Sequence, residues 1–135
     1  MQHGANEHIR NAQRNRSLAT VIDGERESFR DWLATVYFYV IIHLVEACLA
    51  AKQTHSRNHQ HRRELVGRYM GDEWEEEYER LLIRTRAYRY ECEYPSETEL
   101  HDLLSRTVEP FMQYLCRKLH SGEAADRLLK EMQPF

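Results

Sequence analysis

Glycine and proline are scarce in this 135-residue chain, at 5 and 3. That supply is too poor in turn formers for a many-stranded sandwich or barrel. Cysteine is sparse too: Cys48, Cys92 and Cys116 form an odd set with neither CxxC nor CxxH spacing. They read as reduced, mostly buried thiols in a cytoplasmic protein. Lysine is nearly missing, with 3 against 16 arginines. There is no large charge excess of either sign, and a net charge of −3 excludes a uniformly basic nucleic-acid coat while leaving room for a local basic face. The opening MQHGANEHIRNAQRNR reads as polar helix rather than a secretion signal. What remains is 41% hydrophobic residues recurring with a helical period in a chain of one-domain length.

Every segment reads as helix. His8 to Ile22 carries Ile9, Ala12, Ala19 and Ile22 on a weak apolar face. After Asp23-Gly24, a helix over 24–52 places Phe29, Leu33, Val36, Val40, Leu44, Ala47 and Ala51 at 3- and 4-residue spacing. Trp32, Tyr39, Ile42 and Leu49 widen its apolar surface almost all the way round, the mark of a helix buried at the centre. Trp32 to Ala51 is nearly long enough to span a bilayer. Glu46 within it would cost about 2.5–3.5 kcal/mol at mid-membrane, so a core helix and no membrane are expected. Ser56 offers an N-cap for a helix over 57–70, Asp72 one for a helix over 72–91, and Ser96 with Glu99 a capping box for a helix reaching His120. Pro110 should kink or break that last run, and Glu123 to Met132 forms a short terminal helix. The fold expected is all-α, one domain over 1–135. Four main helices should form an antiparallel up-and-down bundle, flanked by short N- and C-terminal helices.

Chemistry concentrates in two basic stretches. Lys52 to Arg68 sets five cations against Glu64, and Arg80 to Tyr90 holds Arg80, Arg84, Arg86 and Arg89 with Tyr88 and Tyr90 between them. Arginine grips phosphate bidentately and stacks on bases, and cations alternating with aromatics suit single-stranded nucleic acid. The competing reading of the second stretch is ion-pair lacing to Glu73, Glu75, Glu76, Glu77 and Glu79. The densest cluster, His55 to Arg63, sits at a helix start, where free N–H groups favour an anion. Arg57 with His61, and His59 with Arg62, are each spaced to share a face. A histidine near neutrality and an arginine beside it suffice for metal-free RNA cleavage by the 2′-hydroxyl. In that reading His61 or His59 serves as base and acid. Arg57, Arg62 and Arg63 bind the phosphate, and Asn58 positions it. The alternative is a solvated polar helix start. A metal site is not expected, since the arginines would repel a cation, and no cofactor is implied. Glu46, buried on the central helix, needs a partner; Arg57, Arg62 or a histidine is the available donor.

The order of these features resembles the HEPN superfamily over about residues 24 to 120. The features are the helix Ala34-Thr-Val-Tyr-Phe-Tyr-Val-Ile-Ile-His-Leu-Val-Glu-Ala, then Ser56-Arg-Asn-His59-Gln-His-Arg62. Tyr78-Glu-Arg-Leu-Leu-Ile-Arg-Thr-Arg-Ala-Tyr-Arg-Tyr90 and the Pro-Ser-Glu-Thr-Glu helix start complete them. The resemblance implies a bundle that commonly forms homodimers. It also implies a metal-independent endoribonuclease of a toxin–antitoxin, defence or RNA-processing system. The nuclease members carry an arginine, often a polar residue, then four to six residues and a histidine. Arg57-Asn58 matches the opening here, and His61 follows after three. Other members are non-catalytic, antitoxin-like or accessory modules that bind a nucleotide or a protein, often beside a nucleotidyltransferase. The His59-x-x-Arg62 pair looks like that branch as well. RNA or a nucleotide is the expected ligand, with two half-sites brought together across a symmetric interface.

Overall fold

A computed structural model describes residues 3–134, which are helical with no strand among them. Helix α1 spans Ala5–Asp23, α2 Arg26–Ala51, α3 His59–Met70, α4 Asp72–Tyr90, α5 Glu97–Leu103, α6 Glu109–Leu119 and α7 Gly122–Met132; a π-turn, Leu104–Val108, joins α5 to α6. Helix α2 is the centre of the assembly, touched by α1, α4, α5 and α6, while α3 packs on α4 and α7 on α6. It has the length and composition of a membrane span, yet 83% of its most apolar window is buried inside the protein. Leu33, Phe38, Ile41, Leu44 and Leu49 of α2 meet Tyr78, Leu81, Leu104, Phe111 and Leu115 in one core. Each such side chain contributes about 1.5–3 kcal/mol by leaving water.

Helix α1 buries only Ala12 and Ala19 completely, with Ile9 and Ile22 half-buried against the core. Two small residues seven apart lie on one face, so α1 can lie close along α2. The apolar stripe of α2 departs from expectation at its start. Phe29 is 45% exposed, because the helix is broken there, at φ −135° and ψ 34°. The Tyr94 hydroxyl occupies the broken turn, accepting from the Arg30 N–H at 3.2 Å and donating to the Glu27 carbonyl. A side chain inserted in the helical ladder is a recognised cause of a kink. Trp32 likewise does not join the core and is 50% exposed.

Two caps also differ from the reading of the sequence. Asn58, not Ser56, caps α3, its Oδ1 accepting from the His61 N–H at 2.8 Å; the Ser56 hydroxyl is instead bonded to Glu46. Gly71, not Asp72, precedes α4, at φ +109° and ψ 162°, a conformation open essentially to glycine alone. Asp72, Glu73 and Glu75 then fall in the first turn, where negative charge complements the helix dipole. The Ser96 cap stands as expected, accepting from the Glu99 N–H at 3.1 Å. Pro110 acts as expected too. It lacks an N–H and crowds the carbonyl four residues back, and the turn before it widens so that the Glu109 N–H bonds to the Leu104 carbonyl.

Candidate nucleic-acid interface along α2

Between Trp32 and Leu49, every residue of α2 is buried except Trp32, Tyr39 and His43. Trp32, Tyr39 and Glu46 are spaced by seven, two helical turns, so they form one file with His43 beside it. The open edge of the most sequestered helix is therefore aromatic at one end and ionisable at the other.

At the ionisable end Glu46 is 6% exposed. It accepts from Arg62 Nε at 2.7 Å and from the Ser56 hydroxyl. Burial pushes its carboxyl upward. The hydrogen bonds from Ser56 and Arg62 and the charge of Arg62 together outweigh burial, so the group ionises below the usual value. Burial likewise opposes the Arg62 charge, and Tyr78 and Glu46 more than restore it. Arg62 Nη1 also donates to the Tyr78 hydroxyl and to His59 Nδ1, both at 3.0 Å, and the Tyr78 hydroxyl lies 2.9 Å from the same imidazole nitrogen. A guanidinium only donates, so His59 Nδ1 is an acceptor and the ring's proton is on Nε2. Burial, then Arg62, Arg89 and Arg86, holds His59 neutral below its ordinary pKa.

That effect places two α4 arginines within electrostatic reach of the α3 start. Arg89 donates to the Tyr39 hydroxyl at 3.1 Å and lies over the rings of Tyr39 and Tyr90. Tyr90 is exposed, and Arg86 is exposed with no ion pair among the described residues. Arg86 and Arg89 of the second stretch thus carry their charge toward His59 in the first, with Tyr39 under Arg89. In the rest of the second stretch Arg80 pairs with Glu77, one of the partners the competing reading named, while Arg84 pairs with Glu93, which lies outside that set.

On the other flank of Glu46 is a cavity of about 250 Å³ lined by α1, α2, α3 and the link between α2 and α3. His8 and His43 meet there with their Nδ1 atoms 3.2 Å apart. Burial lowers both pKa values. His3 and His55 add to the effect at His8, and His8 and Arg62 add to it at His43, while Glu46 opposes it at each.

The residues singled out in the sequence divide accordingly. His59 and Arg62 join Glu46 in one network. Arg57 is exposed, and its backbone N–H donates to His61 Nδ1 at 3.1 Å. Asn58 is spent as a cap. Arg63 turns to α4, where it reaches Glu79 at 2.8 Å and Glu75 at 3.4 Å. The hydroxyls of Tyr39 and Tyr78, residues not among the predicted site, are part of it; the seven-residue spacing from Trp32 through Tyr39 to Glu46 is the signal that marks the first. No three His, Cys, Asp or Glu side chains among the described residues converge to hold a metal ion. Compared with family models, curated proteins and solved structures, the chain matches none.

Proposed function

We propose that this protein is a HEPN-like module that binds single-stranded RNA along the open edge of α2. The observation that carries the reading is Arg89, bonded to the Tyr39 hydroxyl and lying over the rings of Tyr39 and Tyr90, with the exposed Arg86 three residues away on the same face of α4. Guanidinium groups next to exposed aromatic faces match what a single strand offers, phosphates and unstacked bases. The reading assigns the main helices to an antiparallel up-and-down bundle, the protein to the cytoplasm, and its assembly to a homodimer. A nucleotidyltransferase-type protein is the partner to test.

Binding without cleavage is the branch favoured here. His61 Nδ1 accepts from a backbone N–H and His59 Nδ1 from Arg62, so each ring has committed the lone pair a general base would need. The test is titration of single-stranded and duplex RNA oligonucleotides in EDTA at several salt concentrations. Two phosphates neutralised on a single strand give a slope of about −1.4 in log affinity against log salt. Arg86→Gln combined with Arg89→Gln should abolish most of that slope and weaken binding at least about tenfold. Equal affinity in the double variant, or a preference for duplex, overturns the reading. Cleavage lost in both Arg57→Ala and His61→Ala would instead establish the endoribonuclease.

A further inference from the structure

The imidazole-lined cavity beside Glu46 has no part in the RNA reading. Its contents are unusual for a structural joint: His8 from α1, His43 from α2 and His55 from the link face a space of about 250 Å³ with Ser56, Glu46 and Arg62 behind them. Two Nδ1 atoms at 3.2 Å form a hydrogen bond only if one carries a proton and the other does not. The two Nδ1 atoms thus share at most one proton, and burial disfavours a further one on either ring. The guanidinium in the cavity wall, Arg62, is matched by Glu46 at 2.7 Å, so it is not free to hold an anion by itself.

We propose that this cavity is a proton-coupled oxyanion site, in which the His8–His43 pair takes up protons from solvent as a phosphate- or sulfate-type anion enters. The groups that decide the coupling can be named from each element around the pair. The segment ahead of α1 supplies His3 and α1 itself Glu7, held together at 2.5 Å; α2 supplies Glu46; the link supplies His55; α3 supplies Arg62. Without an anion, a proton on the pair meets burial and a cationic guanidinium; Glu46, already engaged by Arg62 and Ser56, and Glu7, engaged by His3, favour it. With an anion in the cavity the same proton gains a counter-charge. The rings of the protonated pair then separate and turn their N–H groups to the anion's oxygens. Because binding and protonation are linked, the anion tightens as pH falls, and its presence raises the pKa of the pair by the same free energy.

Sulfate is the primary probe, since its charge is constant across the range. Calorimetric titration of the full chain from pH 7.5 to 5.5, in buffers of different ionisation enthalpy, should show tightening of about tenfold per pH unit for one coupled proton, and net proton uptake. His43→Gln and, separately, His8→Gln should flatten the pH slope and leave the affinity at pH 5.5 near the pH 7.5 value. Arg86→Gln should change neither, which separates this site from the RNA surface: loss of RNA binding with sulfate binding intact leaves the cavity standing, and the reverse refutes it. Comparing 5′-phosphorylated with 5′-hydroxyl oligonucleotides distinguishes the terminus of a bound strand from a free anion; a preference confined to low pH identifies the former, and sulfate binding with no such preference the latter. A pH-independent sulfate affinity, no binding at pH 5.5, or an unchanged slope in either folded histidine variant overturns the proposal.

Discussion

Replacing Arg62 by Met isolates the interaction that joins α2 to the start of α3. Arg62 and Glu46 retain 14% and 8% of their side-chain exposure, so their contact lies largely out of water. Removing one partner of such a pair leaves an uncompensated buried charge, a loss of about 3–5 kcal/mol. Ser56 remains to Glu46, and the Tyr78 hydroxyl can still donate to His59, which argues for the lower half of that range. Against a total stability of about 5–15 kcal/mol the effect is large. For a domain of this size it corresponds to a fall in Tm of about 10–20 °C. Urea and thermal denaturation followed by circular dichroism measure both quantities. The companion experiment is the double replacement Glu46→Leu with Arg62→Met, which removes both charges and should recover most of the loss. A cost below about 1 kcal/mol for Arg62→Met, the value of an exposed pair, would refute the reasoning. So would a double variant as unstable as the single one.

Further expectations follow from other parts of the molecule. Among the thiols, Cys92 is exposed, while burial pushes Cys48 and Cys116 up to about 12; a thiol-reactive dye should titrate one group quickly and the other two only on unfolding. Gly71→Ala forces a side chain into a backbone at φ +109°, and denaturant midpoints should report a loss of about 1–3 kcal/mol. His8, His43 and His59 all have folded pKa values below the ordinary 6.5, so the unfolded chain binds more protons. Stability should be flat above that value and fall as pH drops through it toward the folded pKa values, with His59→Phe removing part of the slope. Glu46 acts in a lower window: its contribution is complete above its ordinary 4.5 and disappears as pH falls through the depressed folded value.

Helix existence was legible because apolar residues repeat at helical spacing, and the Ser96 box because both of its groups lie within one turn. The break at Phe29 was not, since Tyr94, which holds it open, comes from a distant part of the chain. Glu46 could be identified from a general rule, that a carboxylate in an apolar helix must find a donor, and Arg62 is that donor. Which faces the α3 start would present depended on where the helix begins. A helix starting at Arg57 would have put Arg57 and His61 on one face. With Asn58 as the cap, Arg57 lies ahead of the helix, and His59 and Arg62 take the inward face instead. The hydroxyls of Tyr39 and Tyr78 were hidden for a different reason: hydrophobic patterning counts their rings as core and is silent about the polar tip.

The account is tested most directly at Trp32. Trp74 is the only other tryptophan in the chain and stacks on Phe111 and Tyr114, so a Trp74→Phe variant leaves Trp32 as the single indole reporter on the open edge of α2. Titration with a short single-stranded RNA should quench its fluorescence as bases stack, with a midpoint that moves to higher RNA concentration as salt is raised and that shifts at least about tenfold when Arg86 and Arg89 become Gln. Unchanged emission at saturating RNA, with the variant folded, would contradict the assignment of this surface.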